Sequence, residues 1–161
     1  QVYAERIRAN PGAERLINTL RGLGIRVAVV SGGFTFFTDR LAGDMGLDAT
    51  EANELEIADG ELTGEGSGAI VDGARKAEFL NELRSRYGLS ADQVIAMGDG
   101  ANDLPMIESS GMGIAYHAKP KVRDAAPYNL AFGQLDGVLY LLGLTDEQIA
   151  YYSQSPKPES R

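Results

Sequence analysis

The sequence predicts an α/β fold with a mostly parallel sheet, and three observations predict it. Val27 to Val30 and Val94 to Met97 are short, continuous apolar runs, and they end at Ser31-Gly32-Gly33 and at Gly98-Asp99-Gly100. Stretches with helical spacing alternate with these runs. Short apolar runs bounded by turn residues are how strands buried on both faces of a parallel sheet read. Strands alternating with helices are the pattern of crossover-connected parallel strands. In such sheets ligands bind beyond the carboxyl ends of the strands, where both glycine-bearing turns lie.

Taken in order, Asn10-Pro11 predicts a helix start, with Asn as cap and Pro in the first turn. Ala13, Leu16, Ile17, Leu20 and Leu23 carry that helix at a spacing of three and four, and Gly22 and Gly24 are candidate stops. The first strand follows and ends at Ser31-Gly32-Gly33. Phe34, Phe37, Leu41 and Met45 then predict a second helix. Leu55 and Ile57 alternate with acids, Asp59-Gly60 is a hairpin turn signal, and Leu62 continues beyond it, so residues 53 to 65 are expected to form a β-hairpin. Glu54 and Glu56 are its expected solvated face. Ala77, Leu80, Leu83 and Tyr87 give a third helix that ends near Gly88. The second strand comes next, then a short third strand at Gly113 to Ala115. Val138, Leu139, Leu141 and Leu142 predict a helical turn or two, and Thr145 with Gln148 is a capping box that opens a last helix. Residues 1 to 150 are expected to form the core domain, and residues 151 to 161, with Pro156 and Pro158, a loose tail.

The chain is long enough for one sizeable core, with 161 residues of which 43% are hydrophobic. Its formal net charge of -8 disfavours nucleic acid and anionic lipid as partners, although acidity also serves solubility alone. The absence of cysteine excludes a disulfide framework and a thiolate metal site, which fits a cytoplasmic protein. No apolar run approaches the ~20 residues of a membrane-spanning helix. The first residue is Gln1, so the chain is expected to begin inside a longer reading frame or after a processing boundary.

Three segments can carry chemistry. In Gly98-Asp99-Gly100-Ala101-Asn102-Asp103-Leu104-Pro105-Met106, Asp99 sits on the turn and Asp103 lies one helical turn later. Two carboxylates converging at a strand end make a hard-oxygen site suited to Mg²⁺; the plainer alternative is a tight turn with Asn102 or Asp103 capping a helix. The run is not a dinucleotide fingerprint, because position 103 is Asp rather than Gly. At Val29-Val30-Ser31-Gly32-Gly33, a hydroxyl and consecutive backbone N–H groups can hold a phosphate, though Ser-Gly-Gly is also a common turn. Lys76 follows Asp72-Gly73-Ala74-Arg75 near a helix start, against the macrodipole preference. An ammonium directed at a phosphate would account for it; so would a solvated surface lysine. His117, the only histidine, is expected in a loop.

The order hydroxyl loop, lysine, acidic turn carries more than its parts. Val-Val-Ser-Gly-Gly-Phe, Ala-Asn-Glu-Leu-Glu-Ile, Ile-Val-Asp-Gly-Ala-Arg-Lys-Ala and Gly-Asp-Gly-Ala-Asn-Asp-Leu-Pro-Met together resemble the phosphoserine phosphatases of the haloacid dehalogenase-like superfamily. Gly111 to Ala115 and Ala118-Lys119-Pro120 extend the resemblance, which runs from about Asn10 to Gly143. It implies a Rossmann-like doubly wound parallel sheet with a small β-hairpin insertion. It also implies Mg²⁺ and phosphoserine as cofactor and substrate. By the same resemblance, Ser31 and the Gly32 backbone bind the phosphate, and Lys76 neutralises phosphate and nucleophile charge. Asp99 ligates the metal, Asp103 supports the metal site and orients Lys76, and Asn102 contacts phosphate or substrate.

The family's nucleophile motif, Asp-x-Asp-x-Thr after an apolar strand, is not found. Asp72 and Asp99 each follow an apolar run, but Ala occupies positions 74 and 101. The resemblance places that motif before the Ser-Gly-Gly loop, on a central strand between those ending at Ser31 and Met97, with a helical cap between motif and loop. Only Gln1 to Arg8 could be the end of that cap. The chain alone is therefore expected to be inactive, and unstable or homo-oligomeric because two apolar strand edges lack a partner. The competing readings are a metal- and phosphate-binding module without turnover, a superfamily phosphatase for another small substrate, and a small nucleotide-binding domain.

Overall fold

The computed structural model describes residues 9–58 and 61–156. They form two compact units. One comprises the described residues of Gln1–Val29 with Phe36–Thr50 and Gly133–Arg161, the other Val30–Thr35 with Glu51–Phe132.

In the first unit, helix α1 (Ala13–Gly22) does not start from an Asn10 side-chain cap. Gly12 occupies the cap position in left-handed conformation, and no side chain caps the helix. Asn10 contributes its carbonyl instead, accepting from the Ala13 N–H at 3.0 Å, so Asn10-Pro11 forms the turn that leads in. Leu16 and Ile17 are buried, as are Val138 and Leu139 of the later helix α6 (Gly137–Leu141) and Ile149 of α7 (Asp146–Tyr152). Helix α7 opens on the reciprocal box its sequence predicts. Thr145 Oγ1 accepts from the Gln148 N–H at 3.2 Å, and Gln148 Oε1 accepts from the Thr145 N–H at 2.9 Å.

Strand β1 (Ala28–Phe34) is followed by α2 (Thr35–Met45), β2 (Ala49–Ala58) and β3 (Glu61–Ser67). Strand β1 runs through Ser31-Gly32-Gly33, which the sequence suggested as its end. The reason is that β2 lies beside it in a sheet of order β1-β2-β3, so the glycines remain in extended pairing. Strands β2 and β3 pair antiparallel, with a register shift between Leu55 and Ile57; the predicted Asp59-Gly60 turn lies outside the described residues.

The second unit holds α3 (Gly73–Tyr87), β4 (Ile95–Gly98), a 3₁₀ turn at Ala101–Asp103, α4 (Leu104–Glu108), β5 (Met112–Tyr116), α5 (Pro120–Ala125) and β6 (Tyr128–Leu130). Strands β4, β5 and β6 form a parallel sheet, with Ile95 opposite Met112 and Ile114 opposite Tyr128. Two apolar clusters pack against it. Leu80, Ala96 and Met106 pack together with Val30 and Val94 against them, and Ile107, Ala115, Val122 and Ala126 form the other. Burying such apolar surface is the main favourable term holding helices onto the sheet.

The two strong sequence strands are not buried on both faces as their composition suggested. Among the described residues β1 and β4 share no ladder, and each is the outer strand of its own sheet. Ile95 consequently keeps 38% of its surface exposed, and Val29 and Val30 are only half-buried. These are the two edges between which the family resemblance expects a further strand. No helix among the described residues is long and apolar enough to cross a membrane.

Candidate active site

All the sequence-predicted site residues belong to the second unit: Ser31, Gly32, Lys76, Asp99, Asn102 and Asp103. Helix α3 places the lysine. Its cap is Asp72, whose carboxylate accepts from the Arg75 N–H at 2.9 Å, and Gly88 ends it in left-handed conformation. Four residues after the cap, Lys76 turns inward and is buried, which overturns the solvated-surface alternative. Arg75 points away and holds the helix start. Its guanidinium binds both oxygens of Glu51 on β2, and it reaches Glu82 two turns along the helix at 2.6 Å.

The lysine ammonium donates to Asp103 Oδ1 at 2.6 Å. The other oxygen of Asp103 accepts from the backbone N–H of Asp99 at 3.1 Å and of Gly100 at 3.0 Å. Asp103 therefore folds its carboxylate back over the turn rather than capping α4, and it makes no forward cap bond. The absence of a side chain at Gly98 makes this arrangement possible: a Cβ there would lie 2.3 Å from the Asp103 Cβ. A buried charge pair needs such additional hydrogen bonds to offset its desolvation.

The Asp99 carboxylate is exposed at the carboxyl end of β4, and the Asn102 side chain is exposed beside Gly100. A carboxylate has about four acceptor positions, and Asp103 uses three of them. Asp99 is thus the hard-oxygen donor with room for a cation. Among the described residues no three His, Cys, Asp or Glu side chains group to hold a metal. This still fits Mg²⁺, which takes one or two carboxylates and completes its shell with water and substrate phosphate.

The three motifs are brought together by close backbone approach. A Cβ on Gly73 would lie 2.8 Å from the Asn102 carbonyl oxygen, so only glycine lets the start of α3 meet the acidic turn. A Cβ on Gly32 would lie 3.6 Å from the Val71 carbonyl oxygen, which sets the hydroxyl loop beside the entry to α3. Ser31 Oγ accepts from the Gly33 N–H at 3.0 Å, which leaves its own O–H to donate to a ligand. Hydroxyl, ammonium, exposed carboxylate and glycine backbone thus belong to one neighbourhood, a donor set suited to a phosphate monoanion or dianion with a divalent cation.

Sequence reasoning missed three contributors. Asp72, considered only as a nucleophile, is a helix cap. Glu51 was overlooked because its partner Arg75 is 24 residues away. Asn53 joins the hydroxyl loop to the α3 entry through two hydrogen bonds, to Gly32 and Val71.

A profile of the haloacid dehalogenase-like hydrolases matches residues 1–108. The chain belongs to that family. It is 51% identical to the phosphoserine phosphatase of Streptomyces coelicolor over 149 residues, covering 92% of this chain and 36% of the relative. It is 49% identical to the phosphoserine phosphatase of a Polaromonas species over 146 residues, covering 88% of this chain and 62% of the relative. Among solved structures, a probable phosphoserine phosphatase from Vibrio cholerae superposes with a TM-score of 0.83 at 39% identity, covering 93% of this chain and 45% of that one. The chain thus spans between about a third and two thirds of the length of these relatives.

Proposed function

We propose that this chain supplies the phosphate- and metal-binding part of a Mg²⁺-dependent phosphoserine phosphatase. One observation carries the reading: the buried Lys76–Asp103 pair is backed by the Asp99 and Gly100 amides, beside the exposed Asp99 carboxylate. The identity of the relatives supports phosphoserine as the substrate. The nucleophile is an aspartate of an Asp-x-Asp-x-Thr segment, a motif not contained in these 161 residues. It attacks phosphorus and expels serine; the bond to serine oxygen breaks as the aspartyl-phosphate forms, and a second carboxylate protonates the leaving oxygen.

This chain's own residues bind and orient. Ser31 donates its hydroxyl to a phosphate oxygen, and the exposed Gly32 backbone lies alongside. Lys76, held in place by Asp103, balances phosphate and nucleophile charge. Asn102 lies at the rim, within the turn that carries Asp99, and contacts phosphate or substrate. Asp99 holds Mg²⁺, with Asp103 supporting it through the ordered turn. When bound, Mg²⁺ supplies Lewis-acid polarisation of the phosphoryl group and a template for in-line transfer.

The test is phosphoserine hydrolysis with Mg²⁺, by the chain alone and mixed with a separately made segment carrying Asp-x-Asp-x-Thr and a helical cap. Turnover only in the mixture, abolished by Lys76→Met, is expected. Turnover by the chain alone would contradict the placement of the nucleophile. Mg²⁺-dependent phosphate binding without turnover in a mixture shown to assemble would favour a binding module.

A further inference from the structure

The structure assigns Asn53 as a positioning residue that sets the phosphate-binding loop against the lysine-bearing helix; the assignment rests on the phosphate site proposed above. Asn53 lies on β2, between the other two elements. Its Nδ2 donates to the Gly32 carbonyl at 2.8 Å, and its Oδ1 accepts from the Val71 N–H at 2.7 Å. The two bonds fix which amide end faces which partner, because Gly32 presents an acceptor and Val71 a donor. They bridge positions 21 and 18 residues away in the chain, so no local turn replaces them. Val71 is buried and immediately precedes the Asp72 cap of α3. Gly32 follows the Ser31 hydroxyl. One side chain therefore links the loop that donates to phosphate with the helix that delivers Lys76, and it hydrogen-bonds to none of Lys76, Asp99 and Asp103.

An amide is the side chain that suits this bridge. A carboxylate would keep the acceptor for Val71 but would set a negative oxygen against the Gly32 carbonyl. An aliphatic side chain of similar size would leave both backbone groups without this partner, at a cost that falls on the N–H of buried Val71, since the Gly32 carbonyl is exposed to solvent.

The experiment titrates inorganic phosphate and, separately, Mg²⁺ into the intact chain, followed by backbone amide shifts, with the melting midpoint recorded for each protein. Asn53→Leu removes both bonds without adding charge, and Asn53→Asp removes only the Gly32 bond. Both are expected to weaken phosphate binding by roughly tenfold, the upper scale of one lost hydrogen bond. Mg²⁺ affinity is expected to stay within twofold, because Asn53 makes no hydrogen bond to the acidic turn. A merely structural role would weaken phosphate and Mg²⁺ together with the melting midpoint, and that result overturns the assignment. So does phosphate binding by Asn53→Leu equal to the wild type, because the Asp effect would then be charge repulsion alone. If Asn53→Leu melts early, the titration is repeated well below its melting midpoint, where phosphate affinity equal to the wild type overturns the assignment. Wild-type chain that binds no phosphate overturns the phosphate site itself and the assignment with it; loss confined to the Asn53 variants leaves that site standing.

Discussion

Lys76 donates to Asp103 at 2.6 Å, with both side chains only 8% exposed. Removing one partner from a buried pair strands the other charge, at a cost of about 3–5 kcal/mol. Lys76→Met and Asp103→Asn are each expected to destabilise by that order. The double variant is expected to recover part of the loss, because no charge is then left unpaired. Urea midpoints for the four proteins measure the coupling. Strictly additive losses would mean that the two side chains do not depend on one another.

Asp99 contrasts with Asp103. Its backbone N–H belongs to the buried network, but its carboxylate is exposed. Asp99→Asn is expected to change stability by less than about 0.5 kcal/mol, as surface substitutions do. It is also expected to abolish the Mg²⁺ response measured by calorimetry. A variant that binds Mg²⁺ as well as the parent would place the cation elsewhere.

Arg75 gives the fold an acid-sensitive tie. Its hydrogen bond to Glu82 holds that carboxyl below its ordinary value of 4.5. The partners raise the guanidinium in turn, Glu82 first and Glu51 next, so Arg75 stays charged throughout. A carboxyl with a depressed folded pKa contributes stability above its unfolded pKa and loses it as pH falls through the folded value. Urea midpoints of the wild type are therefore expected to fall more steeply below about pH 4.5 than those of Arg75→Met. Parallel pH profiles would show that the tie is screened by solvent and contributes nothing.

What the sequence reveals divides by distance along the chain. The Thr145–Gln148 box, the Gly88 stop and the strand that ends at Gly98 are local patterns, and each is legible because its cause lies within a few residues. The burial of Lys76 is not legible from its own segment, because Asp103 is 27 residues away. Asn53 was visible only as part of a motif, since both of its partners are distant in sequence. Strand β6 is three residues long and shows no periodicity; it exists because β5 offers it a parallel edge. The burial of β1 and β4 was overestimated because composition reports what a strand is suited to, whereas exposure depends on which neighbours flank it.

That exposure has a measurable consequence. Among the described residues strand β4 pairs only with β5, and Ile95 stands 38% exposed on it. Unpaired apolar edges template association with other chains, and a charge on the edge suppresses it. Ile95→Lys is expected to shift the chain toward monomer in light scattering at a given concentration, with less than about 1.5 kcal/mol lost because the side chain is only partly buried. If the parent is already monomeric at high concentration, this edge is not a site of self-association.

Gly98 tests whether the acidic turn is one cooperative unit. A Cβ at this position would lie 2.3 Å from Asp103 Cβ and 2.6 Å from its Oδ2, closer than atoms pack. Gly98→Ala therefore forces the Asp103 side chain off the Asp99 and Gly100 amides, and Lys76 loses its partner's fixed position. The expected cost is about 1–3 kcal/mol from overpacking alone, with the disturbed ion pair added to it. The same displacement makes the effects of Gly98→Ala and Asp103→Asn overlap, so their sum is expected to exceed the loss in the double variant. Urea denaturation of the single and double variants supplies the comparison. Full additivity would mean that the backbone relaxes around the new methyl and leaves Asp103 in place, so that glycine is needed at 98 for the chain path rather than for the carboxylate that rests on it.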